Sequence, residues 1–585
     1  MSTLGVKSIR RISQRFTSHF LRMVTSVSII EAQTATVACA STSNSRICES
    51  TLTSFPIFSS KYQAPQDAAS TGFVSFCSTI SIMCDAGSTC SRRRVTLGEA
   101  RNSTAPQVAN CSRARTAYWS TRCLVTRQHA SITDPKDVQH ILSTNFRNYV
   151  KPQGFLDAFQ EIFENSFFAV NHHPEAPDGG ASWRLQRKVA AKVFTTANFR
   201  IFTEQVFAKH AEETLSTAQV EATDTRGDNH ATDGSFCCDI QDISARYTLQ
   251  SIFDVAFGLP LSEIEGFEDF AKRMSFVNEH CAQRLFVKQY YKLLRWVMPS
   301  ERDLRQHTNE IRAVADALLL RRLEEPEAKI NTRSDLLSLF ICKARELASG
   351  TEDPDKERNE PNIASLLGPK TLRSIILTFI FAGRDTTAEC LTYSFYAIAT
   401  HPQVQKRIFE ELEAAKSSTS LDSTHFTFEE VKNLKYTEAV VFEAIRLYPA
   451  LPFNVKHAVK DDFLPDGTFV PAGVDIVYSP WFMGRNGTLW GDDPLKFRPE
   501  RWLEMSKRPT AYEFPAFQAG PRTCLGMNMA VLEAKLFLAT TLLRYHVAIA
   551  PGEKHERGYV LKSGLFMDGG LPLQMTPRSK SAASA

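Results

Sequence analysis

At 585 residues, with 43% hydrophobic and 23% charged side chains, the chain has the make-up of a globular protein with a sizeable core. A formal charge of only +4 argues against a dedicated nucleic-acid binder. No glycine-rich phosphate loop or dinucleotide fingerprint follows a strand-like run, which excludes a nucleotide-binding or fused flavin-reductase module.

Residues 1–30 carry Lys7, Arg10, Arg11, Arg15 and Arg22, several serines and no acid before Glu31, a composition that fits an organellar transit peptide. The apolar run 20–30 is interrupted by Arg22 and is too short to span a bilayer, which takes about 20 apolar residues. Residues 31–116 are rich in Ser and Thr and hold Cys39, Cys48, Cys77, Cys84, Cys90 and Cys111. A disulfide-stapled module there implies an oxidising compartment. Apart from adjacent Cys237 and Cys238, the later cysteines are scattered singly, as in a reduced protein. Residues 31–116 are therefore expected to be disordered, or wrongly joined to the true start of the gene.

The paired His172 and His173 suggest a metal, but no further His or Cys stands at ligand spacing, so a solvated loop is the expectation. Trp183 and Arg187 lie four apart on a basic amphipathic helix, a common pairing. Apolar periodicity predicts helices over 202–215, 314–323, 371–399, 402–415, 428–447 and 527–545. Residues 219–235 and 349–361 are polar and read as exposed loops. Short β-rich stretches lie at 468–478 and near the C-terminus, and 577–585 read as a flexible tail. The fold class expected is mainly α with small β-sheets, in one domain over 117–576.

Four motifs break these patterns. The apolar run 375–381 leads into Ala382-Gly383-Arg384-Asp385-Thr386-Thr387, then Leu391, Phe395 and Ile398 at helical spacing. A helix interior excludes Gly at a cost of about 1 kcal/mol, and a buried Asp-Thr pair is costly unless satisfied. Such exceptions concentrate at working sites. Against this, Thr386 can bond back one turn and Asp385 can meet Arg384 or solvent. Glu443 and Arg446 share a helical face, where an exposed pair contributes only about 0.2–0.5 kcal/mol; Arg501, inside Phe497-Arg498-Pro499-Glu500-Arg501-Trp502, is a candidate third member. Lys456 and His457 follow that helix.

Last comes Phe517-x-x-Gly520-x-Arg522-x-Cys524-x-Gly526, a cysteine in a glycine-flanked loop just before a helix. A helix N-terminus lowers a thiol pKa, and a thiolate is an iron ligand. Gly520 accommodates the positive φ of a sharp turn, and Gly526 lets a flat macrocycle approach. Arg522 can reach an anionic group with its permanently charged fork. A lone cysteine is more often a buried, inert one.

The complete spacing resembles the signature of the cytochrome P450 family, and the other three motifs occur in the family's order between Trp183 and Gly526. The resemblance implies the P450 fold, with Cys524 as thiolate ligand of haem b and Phe517 shielding the sulfur. It implies that Trp183, Arg187, Arg522, Lys456 and His457 reach haem propionates. Glu443, Arg446 and Arg501 then form a buried structural triad. The helix through Ala382 is the distal helix, bulged over the haem, with Gly383 making room for oxygen, Asp385 feeding protons and Thr386 holding a water chain. An apolar pocket would draw on Thr378, Ala382, Leu451, Phe453 and Phe566.

Further implied are O2, NADPH-derived electrons from a separate reductase, a lipophilic substrate, no nucleic acid, and membrane association at the endoplasmic reticulum. The basic N-terminus points instead to a mitochondrion or plastid. Residues 382–388, 461–468 and 478–485 look like the eukaryotic branch that hydroxylates fatty acids at or near the terminal carbon. The rivals are a thiolate-haem isomerase or dehydratase of lipid peroxides, which has no need of a proton relay, and a non-enzymatic haem sensor.

Overall fold

Helices dominate the described residues. The computed structural model describes residues 116–117, 129–173, 178–224, 234–261, 267–286, 291–292, 295–296, 298–349, 368–417 and 425–578. The segments 1–30 and 31–115 lie outside them, as does nearly all of the loop expected over 349–361. The principal helices are α1 (Gln153–Phe163), α2 (Ala181–Val193), α3 (Ala208–Asp224), α4 (Ile240–Phe257), α5 (Phe267–Phe286), α6 (Pro299–Leu323), α7 (Leu336–Ala348), α8 (Pro369–Thr400), α9 (Pro402–Ser417), α10 (Phe428–Asn433), α11 (Lys435–Leu447) and α12 (Met527–Arg544).

The longest is α8, with 32 residues. Pro369 opens it, because its missing N–H costs nothing at the first position. It ends at Thr400, as His401 precedes Pro402 and is driven out of helical geometry, with φ −129° and ψ 80°. Apolar residues surround it on every side, the mark of a buried helix. It packs against α1, α4, α6, α11 and α12.

The strands are short: β1 (Thr116–Ala117), β2 (His129–Ile132), β3 (Tyr149–Val150), β4 (Phe236–Asp239), β5 (Asn454–Ala458), β6 (Asp462–Phe463), β7 (Phe469–Val470), β8 (Asp475–Tyr478), β9 (Tyr545–Ile549), β10 (Tyr559–Leu561), β11 (Leu565–Met567) and β12 (Pro572–Pro577). They form one five-stranded sheet in the order β1-β2-β8-β5-β3, a three-stranded sheet β4-β12-β9, and the hairpins β10-β11 and β6-β7. All described residues belong to one compact unit within Gly72–Ala585.

Several expected boundaries move. The helix expected over 428–447 is two, because Leu434 turns extended at ψ 90° and the first free N–H groups of α11 are taken by Glu411: Tyr436 N donates at 2.7 Å and Thr437 N at 2.9 Å. The helix from Phe202 opens with a π-turn, Phe202–Phe207, and α3 then runs to Asp224, so residues 219–224 of the expected loop are helical. The tail expected from Pro577 is anchored at its start. Pro577 pairs with Tyr545, and Arg578 Nε donates to Leu542 O at 2.8 Å. At the other end Thr116, one residue outside the expected domain, pairs with Ile132.

Candidate active site

The loop before α12 is built around two backbone exceptions. Gly520 sits at φ 63°, and a Cβ there would lie 2.1 Å from Leu142 O, so only glycine fits. Gln518 adopts φ 60° and ψ −173°, a region almost reserved for glycine that costs about 1–3 kcal/mol. Its amide is held at both ends: Tyr478 Oη donates to Oε1 at 2.5 Å, and Nε2 donates to Asn454 Oδ1. Beyond it, Cys524 N donates to Phe517 O at 2.8 Å, closing the loop and pinning the partly buried Phe517 beside the cysteine.

Cys524 has an accessible tip, but surrounding protein atoms leave its thiolate poorly hydrated. Desolvation pushes its pKa above the usual thiol range; the Gly526 N–H, the Arg187 guanidinium and the Met527 N–H pull the other way without prevailing. The depression expected from the helix terminus alone is therefore not achieved by the protein. Gly526 is the residue before α12, and a Cβ on it would lie 4.0 Å from Cys524 Sγ.

Beside this loop a group of cations converges. Arg522 spans the 167–172 segment, donating to Val170 O at 3.0 Å, Phe167 O at 3.3 Å and His172 Nδ1 at 3.2 Å, with its guanidinium 4.9 Å from the Trp183 ring centroid. Lys151 donates to Phe168 O at 2.5 Å, and Lys456 is 4% exposed on β5. Among the described residues no carboxylate pairs with Lys151, Lys456 or Arg522. Burial and mutual repulsion depress all of them: Lys151 well below the usual lysine range, Lys456 to about 7 through burial and Arg522, and Arg522 to about 9 through burial and Arg187. The indole N–H of Trp183 is buried without an acceptor. Arg187 donates to Thr523 O at 2.8 Å and Pro521 O at 3.1 Å, bracing the cysteine loop from α2.

Two expectations fail here. His457 is adjacent to Lys456 on a strand, so the pleat sends it to the opposite face, where Asp475 holds Nδ1 at 2.7 Å. His172 is no solvated loop residue: it is 5% exposed, stacked on Phe146 at 3.7 Å, and its Nε2–H donates to Phe146 O at 2.9 Å. That leaves Nδ1 as acceptor for Arg522, and burial plus Arg522 lower its pKa to about 3. Lys151 was not foreseen at all.

On the distal side α8 is continuous, without the expected bulge. Thr386 Oγ1 donates to Ala382 O at 2.7 Å, one turn back. Asp385 is held by Asn278 Nδ2 of α5 at 2.5 Å and by Arg384 at 3.4 Å; Asn278 also donates to Ser563 Oγ at 2.7 Å, tying α5 to the β10-β11 hairpin. Gly383 does not face the same side as Ala382. A Cβ on it would lie 2.9 Å from Ile252 of α4, so its smallness serves helix packing and not room for oxygen.

Of the expected pocket residues, Ala382 is exposed and Leu451, Phe453 and Phe566 are open or half-buried. Leu565 N donates to Ala450 O at 2.9 Å, which joins the hairpin bearing Phe566 to the segment 450–453. Thr378 is the exception: 1% exposed, it donates to Ser374 O at 2.7 Å, shares a 2.8 Å hydrogen bond with Ser166 Oγ in which it accepts, and has no free surface for a ligand.

Glu443, Arg446 and Arg501 come together, 0%, 0% and 3% exposed. Glu443 accepts from Arg446 Nε and Nη2 at 2.8 Å, Arg501 Nε at 2.9 Å, Trp502 Nε1 at 2.9 Å and Arg498 N at 2.8 Å. The remaining guanidinium protons reach carbonyls of Pro494, Lys496, Trp490 and Asp493, so every charge is satisfied. The triad locks α11 to the 490–502 segment.

The family model for cytochrome P450 matches residues 109–568. The chain belongs to the cytochrome P450 family. It is 31% identical to cytochrome P450 94A1 of Vicia sativa over 76% of this chain and 81% of that protein. It is 32% identical to cytochrome P450 704C1 of Pinus taeda over 78% and 86%, and 32% identical to cytochrome P450 94C1 of Arabidopsis thaliana over 76% and 84%. As a cytochrome P450 it is a monooxygenase that uses haem iron and O2, takes an apolar substrate and needs a redox partner. The residues present fit haem: a cysteine exposed on its loop, buried cations that lack anions and an indole N–H that lacks an acceptor would hold a group that brings a thiophilic metal and two carboxylates. Among the described residues no helix is long and apolar enough to cross a membrane.

Proposed function

We propose that this cytochrome P450 hydroxylates a fatty acid at or near its terminal carbon, with Cys524 as the thiolate ligand of haem b. The observation that carries the haem assignment is the convergence of Lys151, Lys456 and Arg522, without carboxylate partners, on the side of the Cys524 loop. Two propionates are the charges such a cluster lacks, and iron at the sulfur supplies the positive charge that the thiolate lacks.

Each residue then has a task. Lys151, Lys456, Arg522 and Trp183 bind propionates, His172 orients Arg522, and Arg187 braces the loop. Phe517 would shield the sulfur, and the absent side chain of Gly526 would leave room beside it for the bound group. When bound, haem supplies the activation of O2 and the attack on the C–H bond. Thr386, whose hydroxyl rests on Ala382 O one turn back, would exchange that bond for one to the distal water, and Asp385 would supply the proton. Ala382, Leu451, Phe453 and Phe566 hold the alkyl chain. Electrons come from NADPH through a separate reductase, and the protein works at the endoplasmic reticulum membrane.

The fatty-acid assignment rests on the resemblance of residues 382–388, 461–468 and 478–485 to fatty-acid hydroxylases, together with the apolar character of these walls. Titrating straight-chain fatty acids into the ferric protein tests it. Each buried methylene contributes about 0.8 kcal/mol, so affinity rises roughly four-fold per carbon until the pocket is full. Bound acids should shift the Soret absorption and, with reductase and NADPH, give hydroxylated products near the methyl end. A series that produces neither spectral change nor product, while a rigid sterol gives both, removes the fatty-acid assignment.

A further inference from the structure

Beyond Ala382, one face of α8 carries Asp385, Glu389 and Tyr393 at successive turns. Glu389 is 1% exposed and Tyr393 3%. Glu389 Oε2 and Tyr393 Oη are both buried without a hydrogen-bond partner. Two orphaned polar groups one turn apart are an unusual liability, since nearly all buried polar atoms are satisfied and an internal water commonly fills such a place. The strip they line leads from Asp385 toward Tyr448, stacked on Tyr393 at 4.5 Å, and Tyr559, which is 49% exposed.

The charges around Glu389 favour its neutral form. Burial acts first and Asp385 second, with Asp239 at the end of β4 adding to them; the Met567 N–H of β11 and Lys562 of the hairpin turn oppose, and the carboxyl stays well above the usual range. A buried acid that keeps its proton beside an acid that delivers one has an evident use.

We propose that Glu389 is the proton reserve of the distal site: it recharges Asp385 and is itself refilled through water held against Tyr393. The O–H bond of Glu389 breaks and its proton passes to an Asp385 carboxylate oxygen after Asp385 has given its own proton toward Thr386 Oγ1. The Glu389 carboxylate then takes a solvent proton along the Tyr393 strip. No electron moves in these steps; one solvent proton is carried inward. Glu389 acts through Asp385 and touches no reacting atom.

Glu389→Gln in the full-length holoprotein tests this, because it keeps the shape and removes the proton. Its carbon monoxide spectrum should be unchanged. The infrared difference spectrum against the parent should lose one protonated carboxylic acid stretch at neutral pH. With reductase, NADPH and dodecanoic acid as probe, product formation should fall about ten-fold, the kinetic solvent isotope effect should rise, and the fall should deepen as pH rises. Glu389→Asp should restore part of the rate, and Tyr393→Phe should raise the isotope effect with the acid stretch retained. An unchanged isotope effect and pH profile in Glu389→Gln and Tyr393→Phe, or an acid stretch that survives Glu389→Gln, overturns the proposal. If dodecanoic acid is not hydroxylated by the parent, the fatty-acid assignment fails by itself; the infrared stretch and the isotope effect on NADPH-driven peroxide release still decide the role of Glu389.

Discussion

Lys456 is a lysine placed where a lysine is costly, and the cost has a pH signature. Its pKa is about 7 in the folded chain against about 10.4 unfolded. Below the lower value both states hold the proton. Between the two, the unfolded chain binds a proton that the folded chain does not, so stability of the haem-free protein rises with pH across that window. Lys151 and Arg522, also depressed, add to the same slope. Lys456→Met should flatten it, as read by thermal unfolding of haem-free protein from neutral to alkaline pH. It should also loosen haem: a charge-assisted hydrogen bond contributes about 1.5–3 kcal/mol, so transfer of haem to a scavenger should quicken roughly ten- to hundred-fold. An unchanged slope and transfer rate would leave the cation cluster without a role. At Gln518 the strain and the clamp separate by substitution. Gln518→Ala keeps the left-handed backbone and loses both side-chain bonds, whereas Gln518→Gly loses the bonds and relieves the strain. Ala should therefore melt lower than Gly by about 1 kcal/mol; equal melting would mean the loop relaxes when freed.

The crossing of α8 and α4 shows what an element-level reading of sequence misses. The motif Ala382 to Thr387 was legible because polar residues interrupt an apolar run, yet the sequence suggested that Gly383 clears space for oxygen. Three-dimensional packing assigns it to Ile252, which no spacing rule connects to it. Gly383→Ala should cost about 1–3 kcal/mol by overpacking, and Ile252→Ala in the same chain should recover part of it. A Gly383→Ala protein with unchanged melting and unchanged α8 packing would contradict this assignment. Similarly, the split between α10 and α11 was hidden because apolar periodicity continues through Leu434; the capping by Glu411 of α9 is a tertiary contact.

For the molecule as a whole, the legible part was the part whose meaning is local. The Cys524 loop, the Glu443-Arg446 pair and the Trp183-Arg187 spacing each state their pattern within a few residues, and the structure brings Arg501, 58 residues further on, to Glu443. Lys151, His172 and Asn278 carry no such pattern. They matter because β3 pairs with β5, the 167–172 segment meets Arg522, and Asn278 of α5 meets Asp385 and Ser563, all distant in sequence, and their chemistry appears only in that company. His457 was grouped with Lys456 because the two are adjacent in sequence, and the pleat separates them.

The central claim is that Cys524 is the thiolate ligand of haem iron, and the ferrous carbon monoxide complex reads it directly. The parent protein should give the strongly red-shifted Soret band of thiolate ligation, and Cys524→Ala should abolish that band. A substituted protein that binds haem and keeps the band would assign the ligand to another cysteine and contradict the account at its root.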